Sequence, residues 1–185
     1  MTLYRSVSVS LVSPDLLANA IDGDVGAFAR LLDPLWDPAY RLAFAMLGDR
    51  EAAEDAVQDA GLNAWRSVGR LRRTTPSLRP WFLTIVANQC RSTRRAPWWR
   101  VIRLPNLPDR AGRSGSGVDD RLDLESALRS LNDQQRLVLA LHYYLDLPID
   151  EVALTLGVSP SAAKSRVIRA VRALRPALQV TEVST

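Results

Sequence analysis

The segment from Pro148 to Arg175, PIDEVALTLGVSPSAAKSRVIRAVRALR, constrains this chain more than any other, because it reads as a complete helix-turn-helix. Val152, Ala153 and Leu156 give a short helix an apolar face, and Gly157 supplies the left-handed stop that ends it. Ser159 is a good N-cap and Pro160 suits a first helical position, so a second helix is expected from there. Ala163, Val167, Ala170, Val171 and Leu174 recur at helical spacing and predict its buried face. Ser161, Lys164, Ser165, Arg166, Arg169 and Arg172 are left outside, and no acidic residue lies between Glu151 and Glu182. Small polar residues followed by arginines on a second helix suit entry into a DNA major groove. The plainer alternative is a helical hairpin with a solvated basic face; the agreement of turn chemistry with charge asymmetry favours DNA.

Charge is unevenly spread. The net charge is only +4, yet no acidic side chain occurs between Asp59 and Asp109, a stretch holding Arg66, Arg70, Arg72, Arg73, Arg79, Arg91, Arg94, Arg95, Arg100 and Arg103. Lys164 is the only lysine. Arginine offers bidentate contacts to phosphate and guanine edges, although a GC-rich genome would give the same bias. Cys90 is alone, which rules out an intramolecular disulfide and fits a reducing compartment. His142 is alone too and argues against a zinc site of the His/Cys kind; it is expected on a helix beside Tyr143 and Tyr144. No signal peptide and no membrane-spanning run is evident, so a soluble cytoplasmic chain without membrane insertion is expected.

The pattern is helical throughout, which predicts an all-α chain of two small helical domains joined by a flexible linker. Helices are expected over Pro14–Ile21, about Asp24–Leu32, and Ala39–Leu47 ending at Gly48, with Pro34 and Pro38 breaking or kinking the chain between the last two. Asp49 caps a long helix through Trp65, and Leu78 to Arg95 forms another. Ser6–Val12 reads as a frayed tail. From Pro97 to Gly117 prolines and a Gly/Ser run replace helical period, which marks a linker carrying Trp98 and Trp99. Beyond it, Leu124, Leu128 and Leu131 fall on one helix and Val138, Leu141 and Leu145 on the next. The expected domains are 14–96 and 122–180, with 97–121 between them.

Two further stretches invite function. In GDREAAEDAVQDAGLNAW, Ala52, Ala53, Ala56, Val57, Ala60 and Ala64 can pack inward and leave Glu51, Glu54, Asp55, Gln58 and Asp59 outward. That is either a solvated face or a dock for a basic partner surface. The second is Arg66, Arg70, Arg72, Arg73, Arg79, Trp81, Phe82, Asn88, Arg91, Arg94 and Arg95. Arginines track phosphates and aromatics stack on bases; the spacing of Trp81, Phe82 and Ile85 also suits a core.

These motifs, in this order, resemble the extracytoplasmic-function sigma factors, small two-domain bacterial initiation factors. YRLAFAMLGDREAAEDAVQDAGLNAW resembles their core-polymerase-binding region and RPWFLTIVANQCRSTRR their promoter-melting helix. LNDQQRLVLALHYYLDLPIDEVALTLGVSPSAAKSRVIRAVRALR resembles their C-terminal helix-turn-helix domain. The resemblance implies that Asp55, Gln58 and Asp59, with Glu54 beside them, contact the clamp of the largest subunit of core RNA polymerase. It implies that the segment from Arg66 through Arg70, Arg72 and Arg73 to Arg79 captures an unpaired base of the −10 element. Trp81, Asn88, Arg91, Arg94 and Arg95 would then face the single-stranded non-template strand. Ser159, Ser161, Lys164, Ser165, Arg166 and Arg169 would read the duplex −35 element, and the linker would run through the RNA exit path. Members are often held by an anti-sigma factor. The resemblance calls for no cofactor, no metal and no catalysis.

The chain departs from the family pattern in places. Gly61 and Asn63 replace bulkier and basic residues, and Gly61 is expected to cost its helix about 1 kcal/mol. Pro148 stands where a capping serine is common, Asn132-Asp133 replaces a diproline-like start, and the linker is basic. Two rival functions remain: an operator-binding regulator that never joins polymerase, and an enzyme using Cys90 or His142, for which the sequence offers no nucleophile context.

Overall fold

The computed structural model describes residues 13–71, 77–96 and 131–179, with side chains to 174. The expectations for Ser6–Val12, Arg72, Arg73, the linker with Trp98 and Trp99, and Leu124 and Leu128 lie outside the described residues. Within them every regular element is helical.

Helix α1 spans Pro14–Ile21 with its proline at the start. Helix α2, Val25–Leu32, is capped by Asp24, whose carboxylate accepts from Ala27 N–H at 3.0 Å. A single 3₁₀ turn at Asp33–Leu35 holds Pro34 and leads straight into α3, Trp36–Leu47. Pro38 was expected to help break the chain here. It lies instead in the first turn of α3, where a helix has no use for the missing N–H, so α3 begins three residues ahead of Ala39. Gly48 ends it with φ 67°, and the Asp49 carboxylate opens α4, Arg50–Ser67, by accepting from Ala52 N–H at 2.8 Å. Helix α5 runs Leu78–Arg95.

Helix α6, Asp133–Leu139, begins with a capping box between Asn132 and Gln135. The departure at Asn132 thus supplies its own N-terminal stop. The chain continues in a π-helical stretch, Ala140–Tyr144, whose wider winding sets His142 Nδ1 2.9 Å from the Leu147 carbonyl. Helix α7, Ile149–Leu156, is stopped by Gly157 at φ 63°, and α8, Pro160–Gln179, follows.

The first unit packs α3, α4 and α5 around Leu42, Met46, Phe82, Leu83 and Val86, all without solvent exposure. The fully buried residues of α4 are all small, Ala52, Ala53, Ala56, Val57, Ala60, Gly61 and Ala64, while Trp65 packs half-buried and edge-on against Phe28. The small residues keep its axis close to its neighbours. An added Cβ at Gly61 would lie 2.7 Å from the Trp36 ring, which packs edge-on against Phe82. Gly61 is therefore more than a weak helix former; it makes room for an indole.

In the second unit Leu137, Leu141, Leu147, Val152 and Ala163 close the helix-turn-helix over α6. The two units share one continuous apolar core: α7 lies along α5, and α6 with its π-helical extension lies along α3. Phe82 is wholly buried as its spacing suggests, whereas Trp81 and Ile85 are half-buried at the edge of this core.

Candidate nucleic-acid interface

The outer face of α8 is built as its sequence implies. Ala163, Val167 and Ala170 are buried, while Ser159, Ser161, Lys164, Ser165 and Arg169 are exposed and Arg166 is half-buried. The Ser159 hydroxyl accepts from Ala162 N–H at 3.3 Å and lies 3.1 Å from that of Ser161. Further along, Ser165 donates to the Ser161 carbonyl at 3.0 Å, and Arg169 Nε to the Ser165 carbonyl at 3.3 Å. These are local bonds on a solvent-facing surface, which a ligand can replace at small cost. Arg166 and Arg169 also line a shallow cleft with Asn132, Gln134, Gln135 and Val138, so the amide-rich start of α6 borders the same face. With the helix turn and positive charge together, this surface can enter a groove and offer hydroxyls and guanidiniums to base edges and phosphates.

The basic set on α5 divides. Trp81, Asn88, Arg91 and Arg95 follow one another at i, i+7, i+10 and i+14 and so share a face. Asn88 and Arg95 are exposed, and Arg91 Nη1 donates to Asn88 Oδ1 at 2.7 Å. Arg66 and Arg70, at the end of α4 and in the 3₁₀ turn after it, are exposed as well. Arg79 and Arg94 are placed differently. Arg79 forms a bidentate pair with Glu151 of α7, through Nε to Oε2 at 2.7 Å and Nη2 to Oε1 at 2.6 Å. Arg94 donates to the Met46 carbonyl at 3.0 Å and pairs with Asp133 of α6 at 3.1 Å. Both therefore bind the second unit.

The acidic face of α4 is open along its length: Glu51, Glu54, Asp55, Gln58 and Asp59 are all exposed. Asp59 accepts from Gln89 of α5 at 2.9 Å, and Gln89 in turn lies 3.5 Å from the Asn63 amide. A carboxylate held in one direction loses less freedom on meeting a cation, and sequence reasoning had not singled out Gln89.

Other partners were missed too. Glu151 entered only as the edge of an acid-free run, yet it is 8% exposed and tied to Arg79. Arg136, 7% exposed, sends Nη1 to the Met46 carbonyl at 3.3 Å, beside Arg94. Two guanidiniums thus meet the Met46 carbonyl at the C-terminal end of α3, where the helix dipole favours cations. Cys90 is fully buried in the first unit, and burial pushes its thiol up from 9.0 to about 12 against the pull of its backbone bond, Arg91 and Arg94. It is a poor nucleophile there. Among the described residues no three His, Cys, Asp or Glu side chains gather as a metal site, and no helix is long and apolar enough to cross a membrane.

Comparison with known proteins agrees with this geometry. The model of sigma-70 region 2 matches residues 31–100, and that of sigma-70 region 4 matches residues 121–174. The ECF RNA polymerase sigma factor SigL of Mycobacterium tuberculosis is 31% identical over 86% of this chain and 95% of its own length. SigK of Mycobacterium sp. (strain KMS) is 27% identical over 95% of this chain and 97% of its own. The fold is shared with CnrH, solved with the cytosolic domain of CnrY: TM-score 0.69, 22% identity, 91% of this chain and 98% of that one. It is shared also with RpoE of Bartonella quintana, solved with the anti-sigma factor NepR: TM-score 0.62, 24% identity, 84% and 99%.

Proposed function

Because the chain belongs to the ECF RNA polymerase sigma factors, which direct core polymerase to promoters, we propose how its surfaces divide that work. Residues 14–96 form the domain that docks on the clamp of the largest subunit and opens the −10 element. Residues 122–180 form the −35 reader, and 97–121 connect them. Glu54, Asp55, Gln58 and Asp59 are the polymerase contacts. Arg66, Arg70, Arg79, Trp81, Asn88, Arg91, Arg94 and Arg95, with Arg72 and Arg73 between them in sequence, receive the unpaired non-template strand. Ser159, Ser161, Lys164, Ser165, Arg166 and Arg169 read the −35 duplex.

The observation that carries this reading is the segregation of charge by helix. An acidic face of four carboxylates and the amide of Gln58 stands on α4, and arginine faces stand on α5 and α8, each over an apolar inner side. The acidic face suits a basic protein surface and repels DNA, and the arginine faces do the reverse. Separating DNA strands costs stacking and pairing, which trapping of extruded bases on a basic, aromatic face offsets. Phosphate contacts make promoter affinity fall steeply with salt.

The alternative of a stand-alone operator-binding regulator falls, because residues 31–100 match the sigma region 2 model, and the basic stretch before the linker then has its task. Sigma factors are in general non-enzymatic, and the reading asks no catalysis of Cys90 or His142. Run-off transcription with purified core polymerase, on genomic fragments that include the chain's own upstream region, tests the proposal. Discrete transcripts are expected only when the protein is added, and they should be lost with Asp55→Ala combined with Asp59→Ala. Undiminished transcription by that variant would sink the docking assignment.

A further inference from the structure

We propose that Ile168 reads a thymine methyl group in the −35 element, and so makes an A·T pair part of what this chain selects. The inference rests on the assignment of the outer face of α8 to the −35 duplex given above, and it names a base for that face. Isolated exposed apolar side chains are ordinary on protein surfaces; the place of this one is what carries weight. Helix α8 turns Val167 inward, 5% exposed, and Val171 one turn on is half-buried. The apolar period of the helix is therefore complete without Ile168, which stands outside it at 43% exposure. It follows Ser161, Lys164 and Ser165 at i+7, i+4 and i+3, and all four are exposed. Residues at i, i+3, i+4 and i+7 form one stripe along a helix, and a recognition helix lying in a major groove turns such a stripe toward the base edges. Among the described side chains of α8, Ile168 is the one large apolar residue exposed.

An aliphatic tip discriminates among bases by what it cannot do. It has no hydrogen bond to offer. Pressed against the N7 and O6 of guanine, the N4 amino group of cytosine or the N7 and N6 of adenine, it would leave a polar edge without water or partner. Thymine alone presents a methyl group in the major groove, and burying two apolar surfaces against each other is favourable. Along the stripe the hydroxyls of Ser161 and Ser165 and the ammonium of Lys164 supply polar contacts. Arg166 and Arg169 lie toward the cleft they share with Asn132, Gln134 and Gln135. Ile168 adds the apolar contact that these residues lack.

The test uses holoenzyme, assembled from core polymerase and the full chain, on a promoter located by the run-off experiment above. Each thymine of the −35 element, on either strand, is replaced in turn by deoxyuridine, which removes the 5-methyl group and leaves the base pairing intact. Competition gel shifts should show wild-type holoenzyme weakened about fourfold at one such position, the loss expected when one methyl group leaves an apolar contact. Holoenzyme with Ile168→Ala should bind the thymine promoter more weakly than wild type, and should no longer distinguish thymine from deoxyuridine at that position. Ile168→Val, which keeps a branched tip, should retain the distinction. Equal methyl sensitivity in wild type and Ile168→Ala overturns the proposal. So does a wild type indifferent to every replacement, or an element built of G·C pairs alone. The side chain is exposed, so Ile168→Ala should fold, and its denaturation midpoint checks that it does. The −35 assignment is checked apart from this, by transversion of each base pair of the element with wild-type holoenzyme. If no transversion weakens binding, that assignment itself fails, whereas costly transversions without a methyl effect refute only the role of Ile168.

Discussion

Helices α5 and α8 carry similar arginine-rich sequences, and the fold uses them in opposite ways. On α8 the arginines stand over an alanine and valine inner face, and Arg169 bonds only within its own helix in the interactions described. On α5 the helix is flanked by a second unit, and Arg79 and Arg94 are drawn into it. The difference teaches that a basic stretch becomes a ligand surface only where no carboxylate or helix C-terminus of the same chain reaches it first. Arg136 is the extreme case, an arginine within the second unit that is buried on the carbonyl end of α3.

The contrast breaks most visibly at Arg136. Its replacement by alanine should take from the Leu131 carbonyl its Arg136 donor, leave the Met46 carbonyl to Arg94 alone, and lower stability by about 3 kcal/mol, as loss of a buried hydrogen-bonded cation does. Chemical denaturation of the full chain measures this; a loss within about 0.5 kcal/mol would place Arg136 among ordinary surface residues. Arg169→Ala should do the converse. Stability should hold within about 0.5 kcal/mol, while discrimination at one −35 base pair drops by about 1–3 kcal/mol in competition gel shifts of holoenzyme. Uniform weakening across all sequences would make Arg169 a phosphate contact instead.

Asp59 sharpens the comparison from the acidic side. Asp59→Ala should weaken core binding by about tenfold, and Gln89→Ala by less, since it removes only the bond that orients the carboxylate. Equal effects would mean that Gln89 touches polymerase itself.

How much of this was legible in the sequence follows from range. Asp24, Gly48, Asp49, Gly157 and Ser159 act within a turn or so of themselves, so those helix ends could be read locally; Asn132 was read only as a departure although it caps α6, and Pro38 misled because a proline in a first turn and one in a helix interior look alike in a sequence. The inward faces of α4 and α8 follow from the 3.6 period, as do their exposed candidates. Arg79 and Glu151 are 72 positions apart, and nothing in the neighbourhood of Arg79 distinguishes it from Arg91. The buried partners of the candidate site were illegible for that reason.

The inner side of α5 gives a pH test of the same contrast. The folded Cys90 thiol holds its proton to about pH 12, whereas the unfolded thiol loses it near 9.0. A raised folded value means stability is fully present below about 9 and declines as pH rises toward 12. The Cys90→Ala variant should lack this part of the alkaline slope, and the native thiol should resist Ellman's reagent at pH 8 until the chain unfolds.

The smallest expected effect concerns Gly61, where local and tertiary rules oppose one another. Helix propensity alone would have Gly61→Ala stabilise α4 by about 1 kcal/mol. The new methyl, however, would stand 2.7 Å from the Trp36 ring, so the indole must swing off Phe82 and lose an edge contact worth about 0.5–1.5 kcal/mol. Trp36 is 38% exposed and its ring can move toward solvent, which keeps the net change near zero and prevents a large loss. The two contributions separate in a double-mutant cycle. In a Trp36→Ala background, Gly61→Ala should recover the full helix gain, and the coupling should equal the lost ring contact. Additive effects would show that the glycine serves some need other than room for Trp36.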